Sequence, residues 1–160
     1  MSKILLETIN LKKTFDHKNG KINLFDNVNI KIKKGDLIAL VGPSGSGKSS
    51  LLHLLALLDN PTKGRILLNN KDVKNLNEGE KDFIRRKKIS IIFQDNNLLT
   101  DFTALENVMM PLIIHGHELK QSKKSALKYL KEVKIINREN HFPNELSGGE
   151  QQRVAIARAL

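Results

Sequence analysis

The eight residues Gly42-Pro43-Ser44-Gly45-Ser46-Gly47-Lys48-Ser49 constrain this chain more than any other stretch. They follow the continuously apolar run 37–41 and precede the Leu-rich segment 49–58. A short apolar run before such a loop suits a strand buried on both faces of a parallel sheet. The segment after it is apolar nearly all round, which predicts a buried helix ended by Asn60-Pro61. Strand, glycine-rich loop and helix in that order form a phosphate cradle. Glycine lets backbone N–H groups converge on phosphate oxygens without a Cβ in the way. The helix start adds partial positive charge. Gly42, Gly47, Lys48 and Ser49 match the GxxxxGK[ST] pattern, with Pro43, Ser44, Gly45 and Ser46 as the loop between them and Ser50 in the first helical turn. Lys48 is placed to reach the β- and γ-phosphates of a triphosphate, and the Ser49 hydroxyl to ligate Mg²⁺.

The remaining chain reads as one α/β unit. Segments 4–11, 28–32 and 65–68 have strand character, and in 28–32 the residues Val28, Ile30 and Ile32 alternate with Asn29 and Lys31. Asn19-Gly20 is a turn pair between the first two. Asn77, with Glu80 three residues on, caps a helix to Lys88, and 89–93 is a second apolar strand ending at Gln94. Thr103-x-x-Glu106 opens a helix over 104–114, in which Pro111 predicts a kink or an early end. Segment 122–133 places Ala126, Leu127, Leu130 and Val133 on one helical face. Ser147-x-x-Glu150 opens a last helix, which runs to Leu160 without a stop signal.

Composition narrows the functional classes. The absence of Cys excludes disulfides, thiolate zinc cages and thiol catalysis. No apolar run approaches the roughly 20 residues that span a bilayer. The start resembles a strand rather than a secretory leader, so a cytosolic location is expected. The formal charge of +10 admits a Lys-rich solvated face, a surface near anionic lipid, or nucleic-acid binding. The third is disfavoured by one Tyr, no Trp and six scattered Phe.

Three further positions have two readings each. Gln94 is either a loop residue or an amide that contacts Mg²⁺ or water. Phe15 is either a core residue or a flat face for adenine. Ser147-Gly148-Gly149 is either an ordinary capped helix start or a second anion site. One triphosphate seldom needs two such sites in one chain, so the second would serve the nucleotide of a partner copy.

Taken together and in order, Phe15, the loop 42–49, Gln94 and the segment 146–151 (LSGGEQ) resemble the ABC transporter ATP-binding family over the whole chain. The resemblance implies a P-loop NTPase fold of ABC type, with a mixed β-sheet core, an antiparallel β subdomain and a helical subdomain. It divides the chain into 1–93 (P-loop and antiparallel β part), 94–146 (Q-loop and helical subdomain) and 147–160 (signature helix). It implies ATP and Mg²⁺ as ligands, with Lys48 and Gln94 catalytic, Ser49 and Gln94 on the metal, and Phe15 stacking on adenine. It implies Ser147, Gly148, Gly149 and Gln151 acting in trans in a head-to-tail dimer that sandwiches ATP. Integral membrane permease subunits are the further partners and no nucleic acid is expected, which places the protein peripherally on the cytoplasmic face of a bacterial inner membrane.

Segments 51–64 and 98–114 are most similar to the ATPases that release lipoproteins from that membrane. Departures lie at Ala56-Leu57, where the family often has glycine, and at Asp95-Asn96-Asn97, where it often has aromatic and histidine residues. Other export or cell-division ATPases, a soluble nucleic-acid-associated ABC ATPase and a non-functional truncated product are the alternatives. Residues 50–145 show no sustained heptad pattern, which argues against the coiled-coil chromosome-maintenance type.

The family places its Walker B strand, catalytic Glu and switch His after the signature helix, and none of these maps onto residues 1–160. The 160-residue polypeptide by itself is therefore expected to bind nucleotide weakly, to melt at low temperature and not to turn ATP over. Mg²⁺-dependent phosphate release by this polypeptide, or a cooperative high-temperature melt, would contradict that expectation.

Overall fold

The computed structural model describes residues 3–18 and 20–160. They form two compact units, divided between Lys87 and Lys88. The sequence reading divides the chain at 93/94 instead.

The first unit is built on a four-stranded antiparallel sheet. Its strands are β1 (Ile4–His17), β2 (Gly20–Lys33), β3 (Lys63–Leu68) and β4 (Lys71–Asp72), in the order β2-β1-β3-β4. The expected alternation in β2 is realised, with Val28, Ile30 and Ile32 half-buried and Asn29 and Lys31 exposed. The β1–β2 hairpin closes at the His17–Gly20 pair; of the expected Asn19-Gly20 turn, Asn19 lies outside the described residues. The β3–β4 hairpin, unforeseen in the sequence, turns on Asn69 (φ 48°) and Asn70 (φ 64°) between the paired Leu68 and Lys71. Two central residues at positive φ match the right-handed twist of the flanking strands, and Asn tolerates that region.

Leu11 of β1, Leu51 and Leu54 of α1 (Lys48–Leu55) and Ile66 of β3 are buried side chains of this unit, each at most 5% exposed. The all-round apolar character of this helix does not bury all of it: Leu52 is 55% exposed. Its C-terminus turns at Leu57, which has φ 58°. A left-handed backbone costs a residue with a Cβ about 1–2 kcal/mol. Burial of the Leu57 side chain, 4% exposed, offsets that cost. Lys13 of β1 then anchors the following loop, its Nζ donating to Asp59 Oδ1 (2.8 Å) and to the Asn60 carbonyl (2.9 Å). Asn77 caps α2 (Glu78–Lys88) as expected: its Oδ1 accepts from Glu80 N (2.9 Å), and its own N–H donates to Glu80 Oε2 (2.8 Å).

The expected buried strands 37–41 and 89–93 are not formed. Both segments are irregular, with Leu37 fully exposed and Val41 and Ile92 at 84% and 47%. An apolar run becomes a strand only with a hydrogen-bonded neighbour, and among the described residues no strand pairs with either run.

The second unit is a three-helix assembly of α3 (Ala104–Ile114), α4 (Leu119–Glu132) and α5 (Gly148–Ala159), with short 3₁₀ turns at Ile136–Arg138 and Pro143–Glu145. Val108, Leu130, Ile135 and Val154 form the centre of its core, with Leu127 and Val133 packed against it. Ala126 and Leu130 are fully buried on the expected face of α4. The α3 start is the expected Thr103–Glu106 capping box, and Pro111 is carried inside the helix, which continues to Ile114.

Gly64 fixes how closely β3 can approach β1. It has φ +86°, and a Cβ there would fall 2.3 Å from the Asn10 carbonyl oxygen. Gly64→Ala is expected to destabilise the first unit by about 3 kcal/mol, combining backbone strain and overpacking. Denaturant unfolding of the two variants checks this; an unchanged midpoint would contradict it.

Candidate functional site

The loop 42–47 leads directly into α1, whose N-cap is Gly47 in the left-handed conformation (φ 85°). No side chain caps the helix, and its first turn holds no acidic residue. The first N–H groups of a helix have no partner within it, so those of this first turn remain available. Gly47 is required twice over: its φ is positive, and a Cβ would lie 3.0 Å from Phe25 Cδ1 and 3.3 Å from Leu24 Cβ, both on β2. The sheet therefore sets the path of the loop. Lys48 curls back over it, its Nζ donating to the carbonyls of Gly42 (2.9 Å) and Pro43 (2.7 Å). The Ser46 N–H donates to the Pro43 carbonyl at 3.4 Å.

The cationic head of Lys48 thus sits beside the free amides, where a polyphosphate would exchange carbonyl partners for anionic oxygens. Residues 42–46 and Ser49 are exposed, and Lys48 and Ser50 half-buried. The uncapped amides, the ammonium and the side-chain-free Gly47 fit a nucleotide's phosphate tail. Ser49 supplies a hydroxyl, a hard donor of the kind Mg²⁺ accepts. Among the described residues no group of three or more His, Asp or Glu could hold a metal, so such an ion would depend largely on phosphate oxygens.

Phe15 lies on β1, paired with Ile22, in the same unit as the loop, and is 44% exposed. Lys13 Nζ stands 4.8 Å from its ring centroid. The ring is thus a surface platform held from one side by a cation, and not a core residue.

The second unit carries the other sequence-predicted positions. Gln94 is exposed and begins a turn. Asn96 (φ 58°) and Asn97 (φ 45°) follow in the left-handed region. Arg158 Nη2 and Nη1 donate to the carbonyls of Asn96 (2.8 Å) and Asn97 (2.7 Å). Burial lowers the pKa of the Arg158 guanidinium from its ordinary value. The next stretch is held by Asn107, which is fully buried. Its Oδ1 accepts from Leu99 N–H (2.8 Å), and its amide donates to the carbonyls of Leu99, Phe102 and Thr103 at 2.9–3.0 Å. Sequence reasoning missed Arg158 and Asn107. An Asn within the apolar helical stretch 104–114, one residue after the Glu of a capping box, was the available signal, and nothing local marked Arg158.

Ser147 is the N-cap of α5 in a full capping box. Its hydroxyl donates to Glu150 Oε2 (3.0 Å) and accepts from Glu150 N–H (3.4 Å), while its own N–H donates to the same carboxylate (2.9 Å). Arg138 Nε completes the shell on Glu150 Oε1 at 3.1 Å. Gly148 is exposed, with nothing within 4 Å of where a Cβ would stand. Gln151 does not present its amide outward: the Nε2 donates to the carbonyls of Pro143 (2.8 Å) and Leu146 (3.2 Å), bracing the turn before the helix.

A phosphate loop on one unit and a capped glycine turn on a helical unit define an ATP-binding cassette. The ABC transporter family model matches residues 25–160, and the chain belongs to that family. It is 45% identical over 157 residues to the lipoprotein-releasing system ATP-binding protein LolD of Wigglesworthia glossinidia brevipalpis, covering 98% of this chain and 69% of that protein. It is likewise 45% identical over 160 residues to LolD of Legionella pneumophila (strain Paris), covering 100% and 70%. The fold superposes on the dimeric structure of MJ0796, a bacterial ABC transporter cassette, with a TM-score of 0.92 at 42% identity, over 98% of this chain and 69% of that one. A post-hydrolysis dimer of the same cassette bound to ADP and Pi matches equally well. The expected α/β fold of ABC type is thereby established.

The Ser147 N–H and hydroxyl, followed by the Arg138 guanidinium, hold the Glu150 carboxyl at a pKa of about 2. A depressed folded pKa means stabilisation that is complete above the ordinary value of 4.5 and is lost as pH falls towards about 2. Carbon-detected NMR of the Glu150 carboxyl should show its midpoint near 2; a midpoint near 4.5 would mean the box is open in solution.

Proposed function

We propose that this chain is the ATP-binding subunit of an ABC transporter that releases lipoproteins from the bacterial inner membrane. The observation that carries the reading is the 45% identity to LolD proteins over essentially the whole chain, together with a phosphate loop whose helix start is left uncapped. In this reading Phe15 stacks on the adenine. The amides of Gly45, Gly47, Lys48 and Ser49 hold the phosphate chain, with Ser46 and Ser50 beside them, and the Lys48 ammonium neutralises the β- and γ-phosphates. Mg²⁺, when bound, would supply charge neutralisation for the phosphates. Ser49 would supply a hydroxyl to that ion, and for Gln94 the family resemblance implies contact with the ion and with the attacking water.

The Ser147-Gly148-Gly149 turn would offer backbone N–H groups to the γ-phosphate held by a second copy, in a head-to-tail dimer; that the cassette MJ0796 is dimeric supports a second copy. Gln151 braces that turn through its carbonyl contacts. Closure and opening of the dimer would drive LolC/LolE-like permease subunits, with this chain peripheral on the cytoplasmic face. No helix among the described residues is long and apolar enough to cross a membrane. No nucleic acid has a role in the scheme.

Two charge-assisted contacts from Lys48 to phosphate are worth about 3 kcal/mol together. Lys48→Ala in the complete subunit should therefore weaken ATP binding about a hundredfold by titration calorimetry. Binding indifferent to this substitution would remove the nucleotide assignment. Co-purification of the tagged subunit with permeases of another export or cell-division system would remove the lipoprotein assignment alone.

A further inference from the structure

The unit containing Gln94 also contains Ser147, and one helix links their surroundings. Helix α5 has 12 residues, about 18 Å of rigid backbone. Ser147 caps its start. Arg158, in its last turn, holds the turn that follows Gln94. The guanidinium spans two successive carbonyls, Asn96 and Asn97, at 2.8 and 2.7 Å, and the residues it joins are 61 and 62 positions apart in the chain. Successive carbonyls face one donor pair because both Asn residues are left-handed. The turn is closed further by Asn96 N–H to the Phe93 carbonyl (3.1 Å) and Asn97 N–H to the Asp95 carbonyl (2.6 Å). Beyond it, Asn107 fixes residues 99–103 from α3. Gln94 is thus the exposed end of a turn whose downstream side has little freedom of its own.

We infer that Arg158 is a positioning residue for Gln94: it ties the Q-loop turn to the signature helix, so that the placement of the Gln94 amide follows the position of the helix that Ser147 begins. The inference rests on the roles proposed above for Gln94 and Ser147. A planar, always-charged fork suits the task, because it meets two carbonyls at once and complements the negative end of the helix dipole. A lysine keeps the charge but meets the turn as a single point, so it holds position less well. Engagement of the Ser147 turn by a partner's nucleotide would shift α5 as a body, and the Arg158 fork would transmit that shift to Gln94. Each copy would then read its neighbour's nucleotide at the residue that orients its own water.

The test is a double-mutant cycle in the complete subunit assembled with its membrane partners. Arg158→Met should lower kcat for ATP about tenfold, with KM for ATP within about twofold, because a displaced catalytic group costs rate more than binding. Arg158→Lys should fall between Met and wild type. In a Gln94→Ala background the Arg158 substitutions should have little further effect, since the group they position is gone. Full additivity with Gln94→Ala would overturn the inference, as would a loss of activity accounted for by a rise in KM and a fall in Tm. If Arg158→Met fails to fold, the Arg158→Lys cycle decides the matter on the same criteria. Should wild type bind ATP and Lys48→Ala abolish binding while Arg158 variants turn over normally, this inference fails and the functional assignment stands. Absence of ATP binding by wild type would remove both.

Discussion

Every α-helix begins with N–H groups that its own backbone cannot satisfy, and this protein treats two of its helix starts in opposite ways. At α5 the Ser147 hydroxyl accepts from Glu150 N–H, and the Glu150 carboxylate accepts from the Ser147 N–H and hydroxyl, so the box is closed on itself. At α1 the cap is Gly47, which has no side chain to offer. Only a helix start left open in this way can take an external anion without first breaking a cap. The difference separates the primary phosphate grip from a turn that presents backbone from Gly148 and Gly149 around a stiff frame. The frame of the first is the sheet, through Leu24 and Phe25 behind Gly47. The frame of the second is the Arg138–Glu150 pair and the Gln151 amide.

Features whose determinants are local in sequence were legible before the structure. The capping boxes at Thr103 and Ser147 and the Asn77 cap follow from residues three apart, and each is present. The α4 face followed from periodicity. The strands 37–41 and 89–93 did not follow, because apolarity specifies what a segment can bury and not whether a neighbour is present to receive its hydrogen bonds. The surplus apolar character of α1 is of the same kind, since Leu52 faces outward although Leu51 and Leu54 are buried. The site divides on the same line. The phosphate loop is contiguous and readable as a string, whereas Gln94 owes its setting to Arg158, more than sixty residues away, and to Asn107 on another helix. The contacts of Gln151 were not legible for a related reason: the resemblance implies a role in trans, whereas its amide donates to carbonyls of the turn before the helix, a setting that only the folded chain shows.

The two departures from the family pattern both coincide with left-handed backbone, and they differ in kind. At Leu57 the backbone has φ 58°, a conformation that glycine adopts without strain. A leucine there is tolerated because its side chain is almost wholly buried, and the strain is offset within the first unit's own core. At Asn96 and Asn97 no such compensation is needed, since Asn visits this region readily and Asn97 is exposed. What the turn after Gln94 requires is conformation and outward-facing carbonyls, which are properties of the main chain. Its side chains are therefore free to vary while the Arg158 fork continues to find the same two acceptors. The departure at 95–97 thus changes the chemistry of the surface beside Gln94 without altering the hydrogen bonds that position it.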